Sequence, residues 1–260
     1  MVNSKVSKNP RGKNALASVQ RTDRTRTILI QVGVAVVLVG LIAAIGISIA
    51  VRNAEKNDPG PTPPIPSQAS ADGIVGSLTD NGSIRLAKAG AKTVVRVVAD
   101  LQCPACQQFE ALNGKTLEDA VASGNTAVEY NIIAFLDPNS GGNSRYSSRA
   151  ANAAYCVAGS DPAKFQKWLE SMFKQQPPEG AGGLPDDKLV QIAKDAGYTD
   201  PAVGQCITDH KYDKYVQKVT KDALNGGIHQ TPTIYVNGQQ LQPNDLSPDA
   251  FKQKVEAVAK

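Results

Sequence analysis

Histidine is nearly missing from this chain. Its 260 residues hold two, His210 and His229, and only four cysteines, Cys103, Cys106, Cys156 and Cys206. The scarcity bears first on metal binding. Cys103 and Cys106, two residues apart, have the spacing of half a zinc site, but such a site needs two further ligands, usually a second close pair. Cys156 and Cys206 have no such neighbour, so zinc is set aside and no metal is expected. Basic charge is also missing where nucleic acid would need it. Residues 1–27 hold Lys5, Lys8, Arg11, Lys13, Arg21, Arg24 and Arg26 against Asp23, which leaves the rest of the chain at −2 of the formal +4. Without a basic face the remaining chain has no electrostatic footprint for nucleic acid. Nor does composition lean toward disorder or collagen, since 41% hydrophobic residues is ordinary for a globular protein. One sizeable domain with appendages is expected.

Charge is absent altogether from Ile28 to Val51, "ILIQVGVAVVLVGLIAAIGISIAV", where Gln31 is the only strongly polar side chain. As a helix this stretch reaches about 36 Å, enough to cross a hydrocarbon core of about 30 Å. Ser48-Ile49-Ala50 offers the small residues of a signal-peptide cleavage site, but signal cores run only about 7–15 residues. An uncleaved anchor over 28–51 is therefore expected in the cell membrane. The basic tail, 1–27, then stays cytoplasmic by the positive-inside rule, and everything after Arg52 lies outside. Residues 52–71 include "DPGPTPPIPSQASA", which is rich in proline, poor in apolar side chains and suited to an extended linker.

In an oxidising compartment thiols are expected to be paired or at work, and an even count suits two pairs. The folded part begins near Asp72. Asn81-Gly82 between short apolar stretches signals a hairpin, and "KTVVRVVA", 92–99, reads as a buried strand. From Pro104 the chain lacks alternation and suits a helix, with proline at its first position. Cys103 thus stands at a helix N-terminus, where free amides and the helix dipole favour its thiolate. It is the expected nucleophile. Cys106, one turn on, is placed to attack a mixed disulfide and release the partner. A purely structural disulfide at this spacing would close a very small loop and constrain the unfolded chain little. Asp100 is either a proton-handling acid or a solvated carboxylate at the strand end. Further on, Thr231-Pro232 directly precedes the strand "TIYV" and the turn Asn237-Gly238, so a specified turn is expected there.

"VVRVVADLQCPACQQF", "SSRAANAAYCVA" (147–158) and "GIHQTPTIYVNG" (227–238) occur in the order found in the DsbA-like branch of the thioredoxin superfamily, which the chain resembles from about Asp72 onward. The resemblance implies an α/β thioredoxin fold over 72–260 with a helical insertion at about 144–226, where helix-like spacing is broken by Asp-Pro, Pro-Pro and glycine-rich turns. It implies that Cys103 attacks, that Cys106 resolves, and that Thr231 and a cis Pro232 help bind an extended cysteine-containing segment. Pro104 and Ala105 between the cysteines, with Asp100 and His229, are possible tuning residues, although an exposed loop histidine is the favoured reading of His229. Cys156 and Cys206 are implied to form a structural disulfide, as in actinobacterial-type relatives.

The implied activity is disulfide formation in reduced or misoxidised exported proteins. No bound cofactor is needed, and a quinone-linked membrane oxidase of the DsbB or vitamin K epoxide reductase type would restore the disulfide. Pro104-Ala105 lacks the histidine of the strongly oxidising members, Val97 replaces an acid common in the superfamily, and Thr231 resembles isomerases and reductases as much as oxidases. Isomerase or reductase is therefore the rival reading. A copper-binding module using the two cysteines with His229 is the alternative from another class.

Overall fold

The computed structural model describes residues 14–67 and 69–258. The chain divides into two units at Asp58 and Pro59. In the first, helix α1 spans Asn14–Asn57. Within it Arg26–Ala54, 29 residues that include an 18-residue stretch of mean hydropathy 2.9, is long and apolar enough to cross a membrane. It is apolar on every side, which suits a membrane span better than a surface helix with one buried stripe. The basic tail read over 1–27 lies outside the described residues as far as residue 13.

The second unit is built on a mixed sheet, with six strands among the described residues in the order β1-β2-β4-β3-β5-β6. Strand β1 (Val75–Leu78) and β2 (Ile84–Ala87) form the expected hairpin. Its turn is held by the Thr79 hydroxyl, which donates to Asn81 Oδ1 at 2.6 Å. Gly82 there has φ +79°, and a Cβ would come within 2.4 Å of Val219, so both conformation and space require glycine. Strand β3 (Thr93–Ala99) is central, with Val95, Val97, Val98 and Ala99 buried. A near-continuous run of β-branched residues is what a strand covered on both faces needs. It pairs parallel with β4 (Thr126–Ile132) and antiparallel with β5 (Thr233–Val236), which in turn pairs with β6 (Gln239–Gln240).

Helix α2 (Pro104–Ser123) makes the crossover from β3 to β4 and ends on Gly124 in the left-handed region. Between β4 and β5 come α3 (Tyr146–Ser160), α4 (Phe165–Lys174), α5 (Asp186–Asp195), α6 (Pro201–Thr208) and α7 (Asp213–Asn225). Helix α8 (Pro248–Val258) follows β6 and packs on α2, where Phe109 and Phe251 meet edge to face at 5.3 Å. This is a thioredoxin-like sheet with a helical insertion. The insertion shares one core with the sheet, in which Phe165, Trp168, Leu189 and Ile192 are fully buried and Phe165 meets Tyr130 of β4 at 5.4 Å.

Residues 52–71 divide differently from the expected linker. Residues 52–57 continue α1, and from Pro59 the chain belongs to the folded unit. Pro63 is buried and Ile65 packs against the core. Ile65 reaches in beside Gly76, where a Cβ would come within 2.4 Å of the Pro162 ring. A proline-rich segment has little freedom to lose on docking, so burying two side chains offsets a small ordering cost.

Candidate active site

Strand β3 ends at Ala99, and four residues later Cys103 caps α2 from an extended backbone conformation, with Pro104 at the first helical position. Proline fits there because the first turn has no use for its missing N–H. Both thiols are free. Cys103 is 7% exposed and Cys106 1%. The Thr231–Pro232 peptide bond is cis, and it brings the Thr231 carbonyl oxygen to 3.3 Å from Cys103 Sγ, which donates to it.

The two sulfurs differ sharply in acidity. Cys103 falls from 9.0 to about 6, chiefly because the Cys106 thiol donates to it, with further help from the Thr231 side chain and the N–H groups of Cys106 and Ala105. Burial opposes this but does not win. Cys106 is raised well above 9.0, first by burial and then by the neighbouring Cys103 sulfur. At neutral pH the arrangement therefore exposes one thiolate and keeps its partner protonated. The Thr231 hydroxyl is buried with no other partner, so the thiolate is the acceptor available to it. Loss of one hydrogen bond worth about 1 kcal/mol should lift the Cys103 titration midpoint by about 0.7. Thr231→Val tests this through the pH dependence of iodoacetamide alkylation, whose midpoint is expected near 6 in the native chain. An unchanged midpoint would show that the hydroxyl does not hold the thiolate.

Asp100 is fully buried, so the alternative of a solvated strand-end carboxylate does not describe it. Its carboxylate accepts from Gln102 N and Ser147 Oγ, both at 2.8 Å, and from Leu136 N at 2.7 Å. Burial outweighs these bonds and raises it to about 6. Asp100 ties the cysteine turn to α3 and to the chain after β4. His229 is exposed in the loop before Thr231. Among the described residues no hydrogen bond joins it to either cysteine. Among those residues, too, no group of three His, Cys, Asp or Glu side chains is placed to hold a metal ion. Cys156 and Cys206 form a disulfide between α3 and α6, with Cα atoms 5.8 Å apart.

Other contacts at the site have no signal in the sequence. Gln176, just past α4, donates through Nε2 to the carbonyls of Leu101 (2.9 Å) and Cys103 (3.1 Å). Gln107 reciprocates by donating to the Phe173 carbonyl at 2.7 Å. Ser140 Oγ donates to the buried Gln102 at 2.7 Å. Beside the cis proline lies an uncharged groove of about 430 Å³, lined among others by Ala105, Gln108, Phe109, Leu112, Thr231 and Pro232.

Residues 79–257 match the model of a family described as Thioredoxin. The chain belongs to this thioredoxin family. Within the family its likeness is to DsbA-type proteins. It is 33% identical to reduced DsbA from Mycobacterium tuberculosis, covering 68% of this chain and 91% of that one with a TM-score of 0.58. It is 32% identical to the reduced disulfide bond oxidoreductase DsbG of the same organism, covering 68% and 86%, again with a TM-score of 0.58. The thiol-disulfide oxidoreductase MdbA from Corynebacterium diphtheriae, at 23% identity and a TM-score of 0.59, shares the fold, with 74% of this chain and 96% of that one covered. A stretch of 131 residues is also 32% identical to the serine/threonine-protein kinase PknE of M. tuberculosis. That match takes in 49% of this chain, which spans only 23% of the kinase. On this thioredoxin scaffold the two free cysteines and the cis proline lie together.

Proposed function

We propose that the chain is a membrane-anchored, extracytoplasmic thiol–disulfide oxidoreductase that forms disulfide bonds in exported proteins through Cys103 and Cys106. The observation that carries this reading is the placement of Cys103 at the N-terminus of α2 beside the cis Thr231–Pro232 peptide, with Cys106 buried one turn on, which lowers the pKa of the first sulfur and raises that of the second. A stabilised Cys103 thiolate favours the reduced pair, and an enzyme whose reduced form is stabilised is a stronger oxidant. The α1 span supplies the anchor, and the basic residues before it favour a cytoplasmic N-terminus.

The exchange runs as follows. A client thiolate attacks Cys103 Sγ of the oxidised pair, a mixed disulfide forms, and Cys106 leaves and takes up a proton. A second client thiolate then attacks the client sulfur of the mixed disulfide, the client gains its disulfide, and Cys103 departs as the stable thiolate. Two electrons have passed to the chain. The uncharged groove beside Thr231 and Pro232 suits an extended client segment, whose backbone can pair with the edge that the cis proline presents. Restoring the disulfide calls for an electron acceptor, and a quinone-linked membrane oxidase of the DsbB or vitamin K epoxide reductase type is the partner that fits by analogy.

The reduction potential of the pair tests the direction. Titrated against glutathione in the detergent-solubilised full chain, with Cys106→Ala as control, it should lie between about −120 and −180 mV. A value near −270 mV or below would overturn the oxidase reading in favour of a reductant. Thr231 before the proline resembles isomerases and reductases as much as oxidases, so these form the second reading, and the same titration separates the reductase from the other two.

A further inference from the structure

The exchange chemistry leaves unused a second cavity, of about 460 Å³, on the side of α2 that faces α4. Glu110, Gly114 and Glu118 of α2 and Glu170 and Phe173 of α4 line it. Glu110 is 8% exposed. Among the described residues no hydrogen bond or ion pair reaches its carboxyl. Burial first, and then the charges of Glu118 and Glu170, push that carboxyl up to about 7. Two lysines also line the cavity but pair with other carboxylates, Lys174 with Glu170 at 2.6 Å and Lys115 with Asp119. A largely buried carboxyl is held ionised by a donor or a cation, and without them it takes up a proton. Glu110 has neither partner among the described residues, so a cation brought into the cavity would hold it ionised.

Its position says what the missing cation belongs to. Gln108 lines both this cavity and the uncharged groove beside Thr231 and Pro232. Pro104, Ala105 and Gln108 are exposed on the first turns of α2. A polypeptide lying in the groove with its cysteine at Cys103 can therefore cross the first turns of α2 and reach the acidic side, whereas a free small cation would have no such anchorage. We propose that this cavity is a specificity subsite that takes a lysine or arginine side chain of the client whose cysteine reacts with Cys103. The proposal rests on the exchange activity proposed above and adds a preference to it. Glu110 lies seven residues beyond Cys103, or about 10 Å along the helix at about 1.5 Å per residue. An extended client covers that in roughly three residues. The basic residue should therefore stand about three positions from the reacting cysteine.

The test uses reduced dithiol peptides that differ only in carrying arginine or glutamine three positions to either side of one cysteine. Oxidation is followed with the full chain in detergent, and the ratio of kcat/KM for the arginine and glutamine peptides is the readout. In the native chain the ratio should be three- to tenfold for one of the two placements, and it should shrink as salt is added. Glu110→Gln should bring it to near one. Glu118→Gln should lower it in part, and it keeps the test open if the first variant fails to fold. A native ratio near one for both placements, or a ratio that survives Glu110→Gln, overturns the subsite. Failure of even the glutamine peptide to be oxidised would instead overturn the exchange activity on which the subsite depends.

Discussion

Replacing Cys103 by serine abolishes disulfide exchange, while replacing Cys106 by serine leaves the attack of Cys103 on a client disulfide intact and traps clients on Cys103. The expectation follows from the unequal acidity of the two sulfurs. With Cys103 ionised at about 6, most of it is thiolate at pH 7, and it alone has an outward path, at 7% exposure beside the cis Pro232 peptide. A serine hydroxyl at this position is neither ionised nor able to form a disulfide, so the rate should fall to that of the uncatalysed reaction. Cys106 is nearly inaccessible and held protonated, so a client cannot react there first. Its work is intramolecular, one helical turn from Cys103, where proximity compensates for a small thiolate fraction. Incubation of each reduced variant with an unfolded client that carries a disulfide, an acid quench and non-reducing gel electrophoresis reads the outcome. Cys103 attacks the client disulfide, one client sulfur leaves as a thiol, and without Cys106 nothing remains to release the other. Cys106→Ser should accumulate a band at the summed mass of chain and client that collapses on reduction. A Cys103→Ser variant that still forms such a band would remove Cys103 from the role of nucleophile.

The parts of the fold that came through in the sequence are those decided by local chemistry. The run of β-branched residues over 93–99 can hardly be anything but a covered strand, and a proline directly after Cys103 opens a helix as soon as the strand ends. Asn81-Gly82 marked its hairpin for the same reason. What stayed hidden is contact between residues far apart in the chain. Nothing periodic marks Gln176, yet it holds the carbonyl of Cys103 from the far end of α4. Asp100 looks like any acid at a strand end until Ser147 and Leu136, supplied from beyond β4, close over it. Glu110 lies on the helix surface that α4 covers, and only that packing makes its carboxyl unusual. At residues 59–71 abundant proline promised a solvated linker, whereas Pro63 and Ile65 pack the segment against the folded unit.

Removing the second disulfide should cost stability without changing the chemistry at Cys103. Cys156 and Cys206 are 50 residues apart, and in the chain-entropy picture closing a loop of that size stabilises the folded state by about 4 kcal/mol. Against a typical total of roughly 5–15 kcal/mol this is a large share. At roughly 2–4 °C per kcal/mol for a domain of this size, the paired variant Cys156→Ala/Cys206→Ala should melt roughly 10 °C lower by circular dichroism. The active site is buffered from the loss because α3 has a second set of ties. Asn152, fully buried, donates to the Ile207 carbonyl at 3.2 Å and accepts from Tyr212 N at 2.8 Å. These bonds hold α3 to α6 and α7 in the folded state whether or not the sulfurs are joined, so Ser147 keeps its place against Asp100. The alkylation midpoint of Cys103 should therefore stay near 6 while the melting temperature falls. A midpoint that moves together with the melting temperature would show that the disulfide acts on the folded site, through α3, and not only by restricting the unfolded chain.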